Sequence, residues 1–158
     1  MTVPDWPILA GFALVSLLIL WAMASDIGSY TIPNRVSLGL AAAFVAYAAL
    51  VRPSGLAWDV GIAAIVFAAG IGLFAAGLFG GGDVKLAGAL ALWVGSARMM
   101  DFLLLTALVG GGLAAAKLAA RWYRKRRGGQ AGSVNADDLP YGVALGIAGW
   151  LHSLWRWF

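Results

Sequence analysis

The sequence predicts an all-α, polytopic membrane protein with about six transmembrane helices. Of its 158 residues, 62% are hydrophobic and only 11% are charged, whereas soluble domains carry roughly 25% charged residues. Apolar runs that approach the ~20 residues of a membrane span recur from one end of the chain to the other. No segment between them is long enough to form a soluble domain, so residues 1–158 are predicted to be a single membrane domain.

Six apolar segments justify this prediction. They occupy residues 6–25, 36–51, 57–79, 84–97, 101–120 and 139–157. The second and fourth are short for a hydrocarbon core of about 30 Å, so we expect them to include flanking residues, to tilt or to thin the bilayer. Turn-forming residues mark the breaks at Pro33, at Pro53 and at Gly80 to Gly82, and residues 128–138 form a polar loop.

The first segment is interpreted as a retained helix and not as a cleaved signal peptide. Ala22-Met23-Ala24 has the composition of a cleavage site, but the residues before it include Asp5 and no Lys or Arg. A signal peptide has a positively charged start and a shorter apolar region.

The distribution of positive charge predicts the orientation. With six spans, eight Lys and Arg residues fall on one side and three on the other. Positive loops stay in the cytoplasm, so the basic loop 117–138 is predicted to be cytoplasmic and both termini external. Headgroup recognition by this loop is a weaker alternative, and nucleic-acid binding is weaker still. The eight residues are Arg35, Lys85, Lys117, Arg121, Arg124, Lys125, Arg126 and Arg127.

Cysteine and histidine usage restricts the chemistry. The chain has no cysteine, which excludes disulfides and thiolate metal sites. Its single histidine, His152, does not make a histidine-rich metal site. We therefore expect no metal and no organic cofactor.

Two of the seven acidic residues, all of them aspartates, are singled out by position. Asp26 begins the segment 26–34, Asp-Ile-Gly-Ser-Tyr-Thr-Ile-Pro-Asn, and Asp83 lies in 80–86, Gly-Gly-Gly-Asp-Val-Lys-Leu. A carboxylate in the bilayer costs several kcal/mol and is kept mainly where it has a function. The charge distribution places both on the cytoplasmic side. Two facing carboxylates share a proton, which supplies a base to activate water and an acid to protonate a peptide group.

The glycines before Asp83 fit the same interpretation. Irregular backbone at membrane depth occurs where it lines a cavity or is buried in protein, and Gly80 to Gly82 would let a substrate backbone approach closely. Asp83 would then lie in the first turn of a helix, and Lys85 would either tune its charge or mark the interface. Helix packing by the glycines and capping by the aspartates explain either motif alone, but not the two together.

A third motif, Pro-Tyr-Gly at residues 140–142, opens the last helix, and the three motifs in this order resemble the prepilin peptidases. These are membrane aspartic proteases of the GxGD class, with an aspartate followed after five residues by Ile-Pro-Asn, and then Gly-x-Gly-Asp-x-Lys-Leu. The residues that carry the resemblance are Asp26, Ile32, Pro33, Asn34, Gly80, Gly81, Gly82, Asp83, Lys85, Leu86, Pro140, Tyr141 and Gly142.

The resemblance implies that Asp26 and Asp83 are the catalytic pair and that the other matching residues bind substrate or support the site. It implies a cytoplasmic (inner) membrane enzyme that removes the short basic leader from type IV prepilin-like precursors at the cytoplasmic face. Larger members also methylate the new N-terminus and carry an extra region with paired cysteines. This chain has neither that region nor any cysteine, so the resemblance does not extend to methyltransferase activity. Its size is more similar to the short peptidases of tight-adherence (Flp) pilus systems, and archaeal preflagellin peptidases are a related possibility.

Other functions remain open from the residues alone. The chain would also suit a GxGD peptidase for another signal or membrane peptide, a small transporter with Asp26 and Asp83 as proton or cation sites, or a non-catalytic assembly subunit. Asp137 and Asp138 either attract a basic leader or lie in a solvated loop. Asp59 and Asp101 are expected to face outside as helix-start residues.

Overall fold

Six α-helices form nearly all of the chain that the structure describes. The computed structural model describes residues 5–51, 53–126 and 141–154. A short 3-10 turn, Ser96–Arg98, joins the fourth helix to the fifth, and no strand occurs in these ranges. The predicted all-α fold is therefore confirmed. The helices are α1 (Asp5–Ser29), α2 (Asn34–Val51), α3 (Leu56–Ala75), α4 (Gly81–Val94), α5 (Met99–Arg126) and α6 (Tyr141–Leu154).

The outside of the bundle is apolar. Large side chains such as Leu17, Leu38 and Ile65 are 65%, 71% and 64% exposed, a surface that soluble monomers avoid. Four segments are long and apolar enough to cross a membrane: Leu9–Ser29, Asn34–Val51, Leu56–Ala75 and Ser96–Tyr123. The chain is thus a polytopic membrane protein, as predicted, while the crossing of α4 and α6 stays a prediction.

The connection between α1 and α2 is short and strongly constrained. Tyr30 ends α1 in the left-handed region, with φ 51°, which is uncommon for a residue that is not glycine. Ile32 precedes Pro33, and a residue before proline avoids the helical conformation. Helix α1 nevertheless reaches Ser29, beyond the predicted end at residue 25, so Asp26 lies inside the helix.

Helix α3 ends earlier than predicted, at Ala75 instead of residue 79. Gly77 has φ 70°, its N–H donates to Phe74 O over 2.9 Å, and the N–H of Leu78 donates to Leu73 O over 3.0 Å. These two bonds form a Schellman termination. The short loop that follows leads through extended Gly80 into α4, which begins at Gly81 and not at residue 84.

Helix α4 lies at the centre of the bundle. It packs against α2, α3 and α6, while α1 packs against α2 and α6, and α5 against α6. Trp93 of α4 is fully buried; its Nε1 donates to Leu40 O over 2.9 Å, and its ring meets Phe44 edge-on at 5.5 Å. Because each buried indole N–H needs a partner, this bond determines how α4 lies against α2.

Asp59 is a helix-start residue, as predicted, since it lies in the first turn of α3, and its position on the external side of the membrane stays a prediction. Only 8% of it is exposed. Its Oδ1 accepts hydrogen bonds from Ser96 N over 2.7 Å and from Ser96 Oγ over 2.9 Å. Asp59 therefore holds the start of α3 against the turn after α4, at the end of the bundle away from Gly80.

Candidate active site

Asp26 is a buried carboxylate near the end of α1. Only 4% of the residue is exposed, and its Oδ2 accepts a hydrogen bond of 3.2 Å from the backbone N–H of Val143. The backbone of Gly142 interacts with the same carboxylate. Both residues belong to the first turn of α6, where N–H groups have no partner within the helix. The N-terminus of α6 thus stabilises the ionised form of this buried carboxylate.

Gly142 is where α6 meets the first motif. A Cβ at this position would lie 2.8 Å from Asp26 Oδ2 and 2.8 Å from Ile32 Cδ1. Only glycine allows so close an approach. A Cβ on Gly82 would likewise lie 3.3 Å from the Cβ of Ile32. Ile32 therefore lies between Gly142 and Gly82 and joins the segments that carry the two aspartates.

Asp83 lies in the first turn of α4, as predicted, and is half-buried. Its carboxylate turns back over the start of the helix and interacts with the backbone of Gly80. A Cβ on Gly80 would lie 2.9 Å from Asp83 Oδ2. The charge of Asp26 acts on Asp83, so the fold brings the two carboxylates into electrostatic range of each other.

A hydrogen bond between Lys85 and Asn34 is a second contact between the first two motifs, besides that of Ile32 with Gly82. Lys85 Nζ donates a hydrogen bond of 2.9 Å to Asn34 Oδ1, and both residues are exposed. Pro33 lies between this pair and Ile32, directly before α2. Lys85 therefore binds a residue of the first motif. Its side chain leaves α4 about 200° around the helix axis from that of Asp83.

The remaining glycine of the second motif packs against a different helix. A Cβ on Gly81 would lie 3.3 Å from Phe74 Cε2 of α3. Tyr141, at the start of α6, stacks on Phe79 with ring centroids 5.2 Å apart. Phe79 belongs to the loop before Gly80, so this stack joins the neighbours of both aspartates. Phe79 was not predicted to belong to the site, because an aromatic residue in an apolar run carries no signal of its partner.

Lys117 is a second residue that sequence reasoning did not place at the site. Its Nζ lies 3.5 Å from the hydroxyl of Tyr30 and 4.9 Å from the centroid of that ring, and its charge acts on Asp26. In the sequence it was one of the cytoplasmic positive charges. One signal in the sequence distinguishes it from the other positive charges of α5. Lys117 is the first of them and lies inside the apolar part of the helix.

Three residues of interest, Asp137, Asp138 and Pro140, lie outside the described residues. Within the described ranges, no three His, Asp or other potential ligands cluster as a metal site would require. The site therefore holds two carboxylates, one buried and one half-buried, at the same end of the bundle. Such a pair can hold one proton and act as base and acid on a bound water.

Comparison with known proteins assigns the chain to a family. A search of curated proteins and a search of solved structures each gave no match. The model of the type IV leader peptidase family matches residues 12–115, which is more than half of the chain and includes both Asp26 and Asp83. The chain therefore belongs to the type IV leader peptidase family.

Proposed function

We propose that this leader peptidase is an aspartic endopeptidase in which Asp26 and Asp83 are the catalytic pair. Family membership gives peptidase activity on prepilin-type precursors in general. The observation that supports the aspartic chemistry is the buried Asp26, bonded to Val143 N–H and within electrostatic range of Asp83. Two carboxylates so placed share one proton and titrate as a unit.

The proposed reaction is general acid–base hydrolysis. One ionised aspartate takes a proton from water, whose oxygen attacks the carbonyl carbon of the scissile bond. The other, protonated aspartate donates its proton to the carbonyl oxygen. When the tetrahedral intermediate collapses, the second aspartate takes back a proton from one of its two hydroxyl groups as the C=O bond re-forms. The C–N bond breaks, and the leaving amine takes the proton held by the first aspartate. Tyr141, Gly142, Ile32 and the glycines before Asp83 hold the two carboxylates in place.

The active site is proposed to lie at the cytoplasmic face of the inner membrane. Eight positive charges flank the connections on the side of Asp26 and Asp83, against three on the other side, and positive loops stay in the cytoplasm. The count rests on the six-span arrangement, which is proposed from the six apolar segments.

Reporter fusions test this orientation. A reporter inserted at Gly129 is expected to be cytoplasmic, and one fused after Phe158 is expected to be external, because α6 would separate them. A phosphatase and a fluorescent reporter at each position give opposite readouts for the two sides. If both positions report the same side, the six-span arrangement and the shared face of the aspartates are wrong.

The proposed substrates are precursors of small, Flp-type pilins. Such a precursor presents a short basic leader in the cytoplasm, followed directly by an apolar helix. Catalytic groups at the interface would reach the junction while that helix stays in the bilayer. Only the few residues around the scissile bond then need to be extended.

The position of the junction tests the substrate. Purified enzyme in detergent is expected to cleave a small pilin precursor at the boundary between leader and helix. Moving the boundary several residues into the apolar helix should stop cleavage, because the bond would lie below the aspartates. Removing the Lys and Arg of the leader should slow cleavage only modestly, with the larger effect at low salt. Cleavage that persists at deep positions would instead indicate a general intramembrane protease.

A further inference from the structure

A groove runs along the outside of the bundle between α2 and α3. Both helices pack against α4, which forms the floor of the groove. The cavity has a volume of about 550 Å³ and opens to the apolar surface. Nothing in the proposed chemistry uses it.

The shape of the groove suits another helix. Its lining includes the small residues Ala63 of α3 and Ala89 of α4, and small residues let two membrane helices approach closely. Gly88 also lines the groove, beside the ring of Phe67. Its rims carry larger side chains, among them Leu38 and Val60, which are 71% and 45% exposed. An apolar helix lying on α4 would contact both rims.

The groove begins where the two aspartate motifs end. Asn34 and Lys85 both line it, and their hydrogen bond of 2.9 Å lies at its end. Asn34 is the last residue of the segment that starts at Asp26, and Lys85 follows Asp83 by one intervening residue. Because Asp83 lies about 200° around α4 from Lys85, a chain that leaves the groove over this pair reaches the candidate active site by crossing the N-terminal end of α4, which begins at Gly81.

Ser37 supplies an independent sign of a ligand. Its side chain lines the groove one turn below Asn34, and only 8% of the residue is exposed. Its Oγ is buried and has no hydrogen-bond partner, which is unfavourable for a hydroxyl away from water. The first turn of a helix offers N–H groups with no partner of their own, whereas a hydrocarbon chain offers none.

We propose that this groove binds the apolar helix of the precursor, with the start of that helix at the end marked by Asn34 and Lys85. Ser37 Oγ accepts a hydrogen bond from the first turn of the bound helix. The leader junction then crosses the Asn34–Lys85 pair toward Asp26 and Asp83. This inference rests on the proposed function and adds where the substrate is held.

Filling the groove tests the proposal. Ala64 lines the groove and is exposed, whereas Ala69, also exposed, lies on the opposite face of α3. The assay compares the full precursor with a short peptide that spans the junction but lacks the apolar helix. In Ala64→Trp, the KM ratio of precursor to peptide should rise about tenfold. In Ala69→Trp, the ratio should stay at the wild-type value.

Two outcomes of this assay overturn the proposal. An unchanged ratio in Ala64→Trp shows that the precursor helix lies elsewhere. Equal loss on both substrates shows that the groove holds lipid or supports the bundle and does not select the helix. Neither outcome depends on whether Asp26 and Asp83 are catalytic, so failure of this inference is distinguishable from failure of the proposed function.

Cross-linking gives a second measurement, which the cysteine-free chain makes simple. An enzyme carrying Ala64→Cys is expected to cross-link to single cysteines in the precursor helix at positions three or four residues apart, because these share one helix face. The matched variant Ala69→Cys should give no cross-link. The Ser37→Ala variant should raise KM for the full precursor about threefold. Cross-links from Ala69→Cys in place of Ala64→Cys would contradict the proposal.

Discussion

Replacing either Asp26 or Asp83 by asparagine is expected to lower kcat for precursor cleavage by at least about 10³-fold. Asparagine keeps the size of the side chain but neither takes up nor releases the shared proton. Because base and acid act together, removing either stops the reaction, and the double variant should lose no more than the single ones. The measurement is single-turnover cleavage of a pilin precursor by purified enzyme in detergent.

The matched control for these variants is Asp101→Asn. Asp101 lies in the first turn of α5, is exposed, and takes no part in the contacts around Asp26 and Asp83. This variant should cleave at the wild-type rate, and all three should elute as folded protein in size-exclusion chromatography. Substantial activity in Asp26→Asn or Asp83→Asn, or inhibition of the wild-type enzyme by a metal chelator, would exclude the aspartic mechanism.

The second large loss of kcat is expected from Gly142→Ala. The new methyl group would lie 2.8 Å from both Asp26 Oδ2 and Ile32 Cδ1, well inside van der Waals contact. Helix α6 must then move away, which lengthens the Val143 N–H bond to Asp26 and displaces the carboxylate. A displacement of about 1 Å is enough to cost about 100-fold in rate. Overpacking of this kind also destabilises the fold by ~1–3 kcal/mol.

The control for this variant is Gly112→Ala in α5. A Cβ on Gly112 would meet nothing within 4 Å, and alanine favours a helix by up to ~1 kcal/mol over glycine. Thermal unfolding in detergent and kcat are measured for both variants. Gly112→Ala should keep wild-type kcat with equal or higher stability. Wild-type kcat in Gly142→Ala would show that α6 does not need to lie so close to Asp26.

The fold class and the shared end of Asp26 and Asp83 could be predicted from the sequence. Composition identifies whole apolar helices, and the distribution of Lys and Arg indicates which helix ends lie on the same side. The sequence did not predict contacts between residues far apart. The bond from Val143 to Asp26 spans 117 residues, and no local pattern indicates it. The hydrogen bonds that Asp59 accepts from Ser96, 37 residues away, were not predicted for the same reason.

Helix ends were predicted less well, for a local reason. Hydropathy alone continues through Gly77 to Phe79, so the end of α3 was placed too late. Gly77 has the left-handed conformation that terminates a helix, and this glycine was the available signal. In α4, extended Gly80 precedes the helix, so Gly81 and Gly82 already belong to its first turn.

The central position of α4 has a consequence for how the protein is made. This helix has 14 residues, which span about 21 Å at 1.5 Å per residue, well short of a ~30 Å hydrocarbon core. On its own it would insert poorly, whereas eight of its residues are buried against its neighbours. The helix that carries Asp83 is therefore expected to insert stably only after α2 and α3 are in place to pack against it. During synthesis, the proposed catalytic pair would stay incomplete until Asp83 is in position, so under that proposal proteolysis would begin only when assembly is complete.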